Sequence, residues 1–146
     1  MQDVEALRAQ LLAAAREARH DAYAPYSGYA VGAVVCDEEG RVFSGANVEN
    51  ASYGLTMCAE RVALFRAVSE GVRRIVAVAV VTRDGAPPCG ACRQVLAEFA
   101  DEETLIWCAS EENGQVEEYR LGELLPFAFR LRTQSSSEEE FALGGM

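Results

Sequence analysis

The sequence predicts an α/β fold in which helices pack on a mixed β-sheet. Three observations carry that expectation. Ile75 to Val81 is an unbroken apolar run rich in β-branched residues, the pattern of a central strand covered on both faces. Segments with helical periodicity lie before and after it. The order helix, hairpin, helix, strand, helix, two strands pairs early strands antiparallel, whereas crossovers between later strands need parallel neighbours.

Element by element, Val4, Leu7, Leu11, Leu12 and Ala15 recur at helical spacing and predict an amphipathic helix over 3–19. Tyr23 to Tyr29 is an aromatic loop broken by Pro25 and Gly28. Val31 to Cys36 reads as a strand, Asp37-Glu38-Glu39-Gly40 as a turn, and Arg41 to Ala46 as the returning strand. Asn47 to Met57 is a polar loop leading into a helix from Cys58 to Glu70, with Val62, Leu64, Phe65 and Val68 on its apolar side. Gly71 suits a left-handed helix stop. After the central strand, Thr82 to Pro88 is a loop, and Cys89 to Phe99 a helix with Val95, Leu96 and Phe99 inward. Leu105 to Ala109 and Val116 to Leu121 read as strands, and Leu124-Leu125-Pro126 leads to Phe127 and Phe129. One domain is expected over 1–133. From Gln134 the chain turns to Ser-Ser-Ser-Glu-Glu-Glu, the composition of a mobile acidic tail over 134–146.

At 146 residues, half of them apolar, the chain can bury one real core. Its net charge is −10, from 13 basic against 23 acidic residues, and every basic residue is Arg. Such a surface repels phosphate backbones and carries no basic stripe, so a nucleic acid polymer is a poor partner and a small neutral substrate a better one. No stretch approaches the roughly 18 apolar residues a membrane span needs, and Leu11 to Ala15 is too short for a signal core. Five cysteines, an odd number, fit a reducing cytoplasm in which thiols serve metals or cores rather than disulfides.

Two short segments carry the chemistry: Cys58-Ala59-Glu60 and Pro88-Cys89-Gly90-Ala91-Cys92, each opening a helix. Backbone N–H groups and the dipole at a helix start favour the thiolate form that zinc binds. The i, i+3 spacing puts Cys89 and Cys92 on one helix face. Cys58, Cys89 and Cys92 thus make a zinc site with a free fourth position, and Glu60 stands beside it as an acid/base. Cys-x-x-Cys alone also suits redox motifs and closed zinc knuckles; Glu60, two residues past a third cysteine, is the discriminating feature. A structural zinc with a fourth ligand from His20, Cys36 or Cys108 is the competing arrangement, though Cys36 and Cys108 read as small core residues. A thioredoxin-like dithiol would leave Cys58 and Glu60 without a role. Three thiolates leave one excess negative charge on a zinc site, and Arg61 is placed to offset it through a charge-assisted hydrogen bond.

Asn47-Val48-Glu49-Asn50-Ala51-Ser52-Tyr53 before Cys58-Ala59-Glu60-Arg61, followed by Pro88-Cys89-Gly90-Ala91-Cys92-Arg93-Gln94, resembles the small homotetrameric zinc-dependent cytidine deaminases. Ala24-Pro25-Tyr26-Ser27, Val31-Gly32-Ala33 and Leu124-Leu125-Pro126 extend the resemblance over roughly residues 5–130. The resemblance implies a three-layer sandwich with a mixed five-stranded sheet and helices on both faces. It implies one zinc per subunit on Cys58, Cys89 and Cys92, with Glu60 as proton shuttle. Asn47 and Glu49 would bind the ribose, although polar loop residues are otherwise often only solvated. Ala51 and Tyr53 would reach a neighbouring subunit's site, and Phe129 would stack near the base from another subunit. Tyr29 stands where the family usually has Phe, and Ala30 where it often has Pro; Tyr29 and Phe129 also read as plain packing residues.

The function so implied is hydrolytic deamination of cytidine and 2′-deoxycytidine to the uridines and ammonia, in pyrimidine salvage. Zinc-activated water attacks ring C4 while Glu60 carries its proton to N3 and then to the departing amino group. Backbone donors near Ala59 and Cys89 steady the tetrahedral intermediate. The competing readings are a deaminase of another small cytosine nucleoside such as a nucleoside antibiotic, a non-catalytic zinc-stabilised module, and a polynucleotide editor, which the acidic charge disfavours.

Overall fold

The computed structural model describes residues 3–131. Helix α1 (Val4–Ala18) opens the chain, its first turn capped by the Asp3 carboxylate accepting from the Glu5 N–H. The hairpin β1 (Gly32–Asp37) and β2 (Val42–Ala46) follows, then α2 (Ala59–Ser69), β3 (Ile75–Thr82), α3 (Gly90–Phe99), β4 (Leu105–Ser110), β5 (Val116–Arg120) and the single turn α4 (Leu121–Leu124). The five strands form one sheet in the order β2-β1-β3-β4-β5. β3 and β4 are parallel, and the other neighbouring pairs are antiparallel. The sheet is therefore mixed, and β3 is its centre.

The period of two along the strands sorts their side chains into two apolar layers. Val34, Cys36, Ala77, Ala79, Val81, Trp107 and Ala109 meet Leu11, Leu12 and Ala15 of α1. The alternate residues Ala33, Val35, Val78, Val80, Ile106 and Cys108 meet Ala63, Leu64 and Ala67 of α2 and Leu96 and Ala97 of α3. This is the expected three-layer sandwich, and it explains why the sequence of β3 is apolar without alternation. Cys36 and Cys108 sit in opposite layers of this core.

The β1–β2 turn is held by the Asp37 carboxylate, which accepts from the Glu39 N–H at 3.0 Å and the Arg41 N–H at 2.7 Å. Glycine has a packing reason at Gly45 on β2. A Cβ there would lie 2.5 Å from Ala63 N and 2.9 Å from Ala59 O, so the missing side chain is what lets α2 lie against the sheet.

The structure corrects the expected face of α2. Ala59, Glu60, Ala63, Leu64 and Ala67 are its buried residues, and Phe65 is exposed. Small residues face the sheet because the backbones approach closely, which leaves Phe65 beside Val42, Phe43, Met57 and Val62 in a surface groove. The expected last strand ends one residue early: Leu121 begins α4, a turn too short to carry helical periodicity. The acidic tail expected from Gln134 lies outside the described residues. Among the described residues, no helix is long and apolar enough to cross a membrane.

Candidate metal centre and its cleft

The loops that end in Cys58 and Cys89 start their helices in the same way. Each cysteine is an N-cap residue with extended backbone, Cys58 for α2 and Cys89 for α3. Neither side chain is spent on capping its helix, so both sulfurs are available to each other. Cys92 lies in the first turn of α3 and is fully buried. Cys58 Sγ and Cys89 Sγ are 4.0 Å apart, and all three sulfurs lie within 4.8 Å of one another.

That spacing fits zinc. Tetrahedral coordination with Zn–S bonds of about 2.3 Å puts sulfurs about 3.8 Å apart. Among the described residues no fourth Cys, His, Asp or Glu ligand atom joins the group. Cys36 and Cys108 are core residues and His20 is exposed in the turn after α1, so none of the three candidate fourth ligands is part of the cluster. The donor set therefore suits a zinc ion with one position left to a non-protein ligand.

Charge is arranged to favour thiolate. The Arg61 guanidinium donates to Cys58 Sγ at 3.2 Å. The Cys58 thiol is drawn down to about 5, first by the hydrogen bond from Cys92 and then, against the opposing effect of burial, by Arg61. Cys92 moves the other way, as the group that holds its proton against Cys58.

Glu60, in the first turn of α2, is only 6 % exposed. Burial pushes its carboxyl up to about 7, and the neighbouring Cys58 charge adds to the rise against a backbone hydrogen bond and Arg61. A group poised near neutrality is suited to taking and returning a proton.

Cys58, Cys89, Ala59 and Glu60 open into a cleft of about 300 Å³ whose walls also include Asn47, Glu49, Tyr29 and Tyr53. Asn47 Oδ1 accepts from the Val31 N–H at 2.8 Å, and its amide donates to the Tyr29 carbonyl at 2.9 Å. One acceptor site and one donor on that amide remain for a ligand. Glu49 accepts from the Tyr26 and Ser27 N–H groups at 3.0 and 3.1 Å and from the Ser27 hydroxyl. The Ser27 hydroxyl is the main cause that holds its carboxyl below the usual range, so it presents a fixed negative charge. Thr56 Oγ1 is buried in the same wall without a hydrogen-bond partner among the described residues, as expected of a site built for a polar ligand.

The structure thus gathers eight of the expected residues in one cleft; Cys92 completes the sulfur cluster and Arg61 bonds Cys58, both outside the cleft walls. Tyr53, placed by the resemblance in a neighbouring subunit's site, lines the cleft of its own chain. Ala51 and Phe129 are exposed and are not part of these walls. Sequence reasoning missed Ser27 and Arg93 as site-building residues. Arg93 donates to the Pro88 carbonyl at 2.7 Å and to the Leu124 carbonyl at 2.9 Å, which fixes the approach to Cys89. These bonds join segments far apart in the chain, and no local pattern announces them.

Comparison with known proteins gives the same picture. The family model described as the cytidine and deoxycytidylate deaminase zinc-binding region matches residues 6–108. A cytidine deaminase of Halalkalibacterium halodurans is 52% identical over 124 residues, covering 84% of this chain and 93% of the relative. One from Mycobacterium tuberculosis is 47% identical over 119 residues, covering 80% and 85%. The crystal structure of cytidine deaminase from Burkholderia pseudomallei superposes with a TM-score of 0.79 at 45% identity, covering 88% of this chain and all of the other.

Proposed function

The chain belongs to the cytidine deaminase family, and we propose that it is the zinc-dependent hydrolase that converts cytidine and 2′-deoxycytidine to the corresponding uridines with release of ammonia. One observation carries the reading: three sulfurs lie within 4.8 Å of one another, and two of their residues, Cys58 and Cys89, share a cleft with the buried Glu60 carboxyl and with Asn47 and Glu49.

Zinc held by Cys58, Cys89 and Cys92 supplies Lewis-acid activation of water. Glu60 takes the proton of the attacking water and passes it to ring N3, which makes C4 electrophilic. It then takes the remaining proton of the added hydroxyl and delivers it to the amino nitrogen, so that the C4–O bond becomes the carbonyl as the C4–N bond breaks and ammonia leaves, the role of the non-ligand glutamate in zinc deaminases generally. The free nucleoside reaches the cleft without being extruded from a duplex. Asn47 and Glu49 hold the ribose, the carboxylate accepting from a sugar hydroxyl, and the N–H groups at the α2 and α3 starts face developing negative charge. Arg61 balances the thiolate charge through Cys58. Loss of cytidine absorbance with pure protein tests the assignment. Turnover that a chelator abolishes and zinc restores is the expected result, and no turnover of either nucleoside overturns it.

Arg61→Ala is expected to lower kcat roughly tenfold, about the worth of one hydrogen bond to a charged group. Its melting temperature should shift little, because Arg61 serves the sulfur rather than the core. Steady-state kinetics beside a thermal melt checks this, and unchanged turnover removes Arg61 from the site.

The exposed apolar side chains Leu55, Phe65, Phe127, Phe129 and Leu131 support a homotetramer with shared sites, to which Ala51, Tyr53 and Phe129 contribute. Light scattering at assay concentration should give the mass of four chains, and a monomer of full activity would exclude shared sites. Five free cysteines support a reducing cytoplasm, where the reaction serves pyrimidine salvage; appearance of the activity in a membrane or secreted fraction would count against that placement.

A further inference from the structure

Two segments distant in the chain meet across the cleft. Ser27, Tyr29 and Val31 belong to one, and Thr82, Ala86, Pro87 and Cys89 to the other. A side-chain bond joins them: the Tyr29 hydroxyl donates to Asp84 Oδ1 at 2.5 Å, across 55 positions of sequence. The Arg83 guanidinium lies 5.3 Å from the Tyr29 ring centroid and reinforces the same contact.

Both ends of this bond are anchored. On one side, the Tyr29 carbonyl accepts from Asn47, and the Tyr29 N–H donates to Ser27 Oγ at 3.0 Å. On the other, Thr82 Oγ1 accepts from the Gly85 N–H at 2.7 Å and the Ala86 N–H at 3.2 Å, which closes the 82–86 turn on itself. The Arg83 carbonyl accepts from Ser110 Oγ at 2.9 Å, and Gly85, at φ +79°, packs against Ser110. The turn is therefore a firm unit, and Asp84 is its handle.

We propose that the Tyr29–Asp84 bond is a clasp across the cleft, and that through it Tyr29 is a positioning residue that fixes the Ala86–Pro87 wall and sets affinity for the nucleoside. The role of the wall rests on the cleft being the nucleoside site; the clasp itself does not. Burial and the bond to Asp84 hold the phenol proton on Tyr29 above its ordinary range, so the hydroxyl stays a donor. Asp84, held below the ordinary range chiefly by the same bond, stays an anionic acceptor.

The test uses Tyr29→Phe, Asp84→Ala, their double variant, and Asp84→Asn, whose amide oxygen still accepts from the phenol. Hydrogen–deuterium exchange across 82–88 should quicken about threefold or more in Tyr29→Phe and Asp84→Ala and return towards the starting rate in Asp84→Asn, because loosening the turn exposes the Gly85 and Ala86 N–H groups. KM for cytidine should rise roughly three- to tenfold in Asp84→Ala with a smaller change in kcat, the sign of lost uniform binding. The double variant should be no worse than Asp84→Ala, since Tyr29→Phe removes only the bond the two share, whereas Asp84→Ala also removes the bonds that Asp84 Oδ1 accepts from the Ala86 N–H and the Thr82 hydroxyl, both at 3.4 Å. Unchanged exchange in both single variants, or fully additive KM effects, overturns the clasp. Failure of the unaltered protein to deaminate cytidine overturns the proposed function instead, and the exchange data then decide the clasp alone.

Discussion

Glu60→Gln retains its zinc and its fold and loses roughly 10²- to 10⁴-fold in turnover, the usual worth of a positioned acid/base. Glutamine matches the carboxylate in shape but can neither take a proton from water nor hand one on. The three sulfurs are untouched by the change, so metal content measured with a colorimetric chelator should remain one zinc per chain. Folding should not suffer either. Glu60 is 6 % exposed and burial opposes its ionised form, so a neutral isostere removes a desolvation cost. The expected melt is equal to or above that of the unaltered protein. Loss of activity with intact metal and fold separates a chemical role from a structural one. Near-normal turnover in this variant would remove Glu60 from the proton path.

Gly45→Ala strikes the same centre from the sheet side. The new methyl would stand 2.5 Å from Ala63 N and 2.9 Å from Ala59 O, and both are helix backbone that cannot swing aside. Helix α2 has to lift or tilt, at a cost of about 1–3 kcal/mol for such overpacking, which for a chain of this size lowers the melting temperature by about 3–10 °C. Because Cys58 is the N-cap residue of that helix, its sulfur moves with it and the 4.0 Å spacing to Cys89 is lost. Zinc affinity should fall together with stability, so titration against a competing chelator and a thermal melt should both shift. A variant with unaltered melt and zinc affinity would mean that the contact between α2 and β2 yields without strain.

The sheet was legible in the sequence wherever a pattern is local. The seven apolar residues of β3 and the acidic turn after β1 define their elements within a few positions. Each half of the metal centre was legible for the same reason, since Glu60 lies two residues from Cys58 and Cys92 three from Cys89; that the halves meet across 31 residues came from the family resemblance. What stayed hidden depends on distance or on size. Phe65 looked like a core residue because it is large, yet Ala63 and Ala67 bury that face by letting backbones approach. The four residues of α4 cannot display a period of 3.6. Ser27 against Glu49, Tyr29 against Asp84 and Arg93 against the Leu124 carbonyl pair positions separated by 22, 55 and 31 residues, and nothing in the composition of either partner names the other.

The position of the sulfurs on two separate helices has a thermodynamic consequence. Cys58 and Cys89 are 31 residues apart, and the chain between them runs through the middle strand of the sheet. An ion shared by both helix starts cross-links that long loop and binds the native arrangement far better than the unfolded chain. Free energy of metal binding then becomes free energy of folding, adding about 2.7 kcal/mol when free zinc exceeds its dissociation constant a hundredfold. Zinc scarcity would therefore lower reactivity and folding stability together.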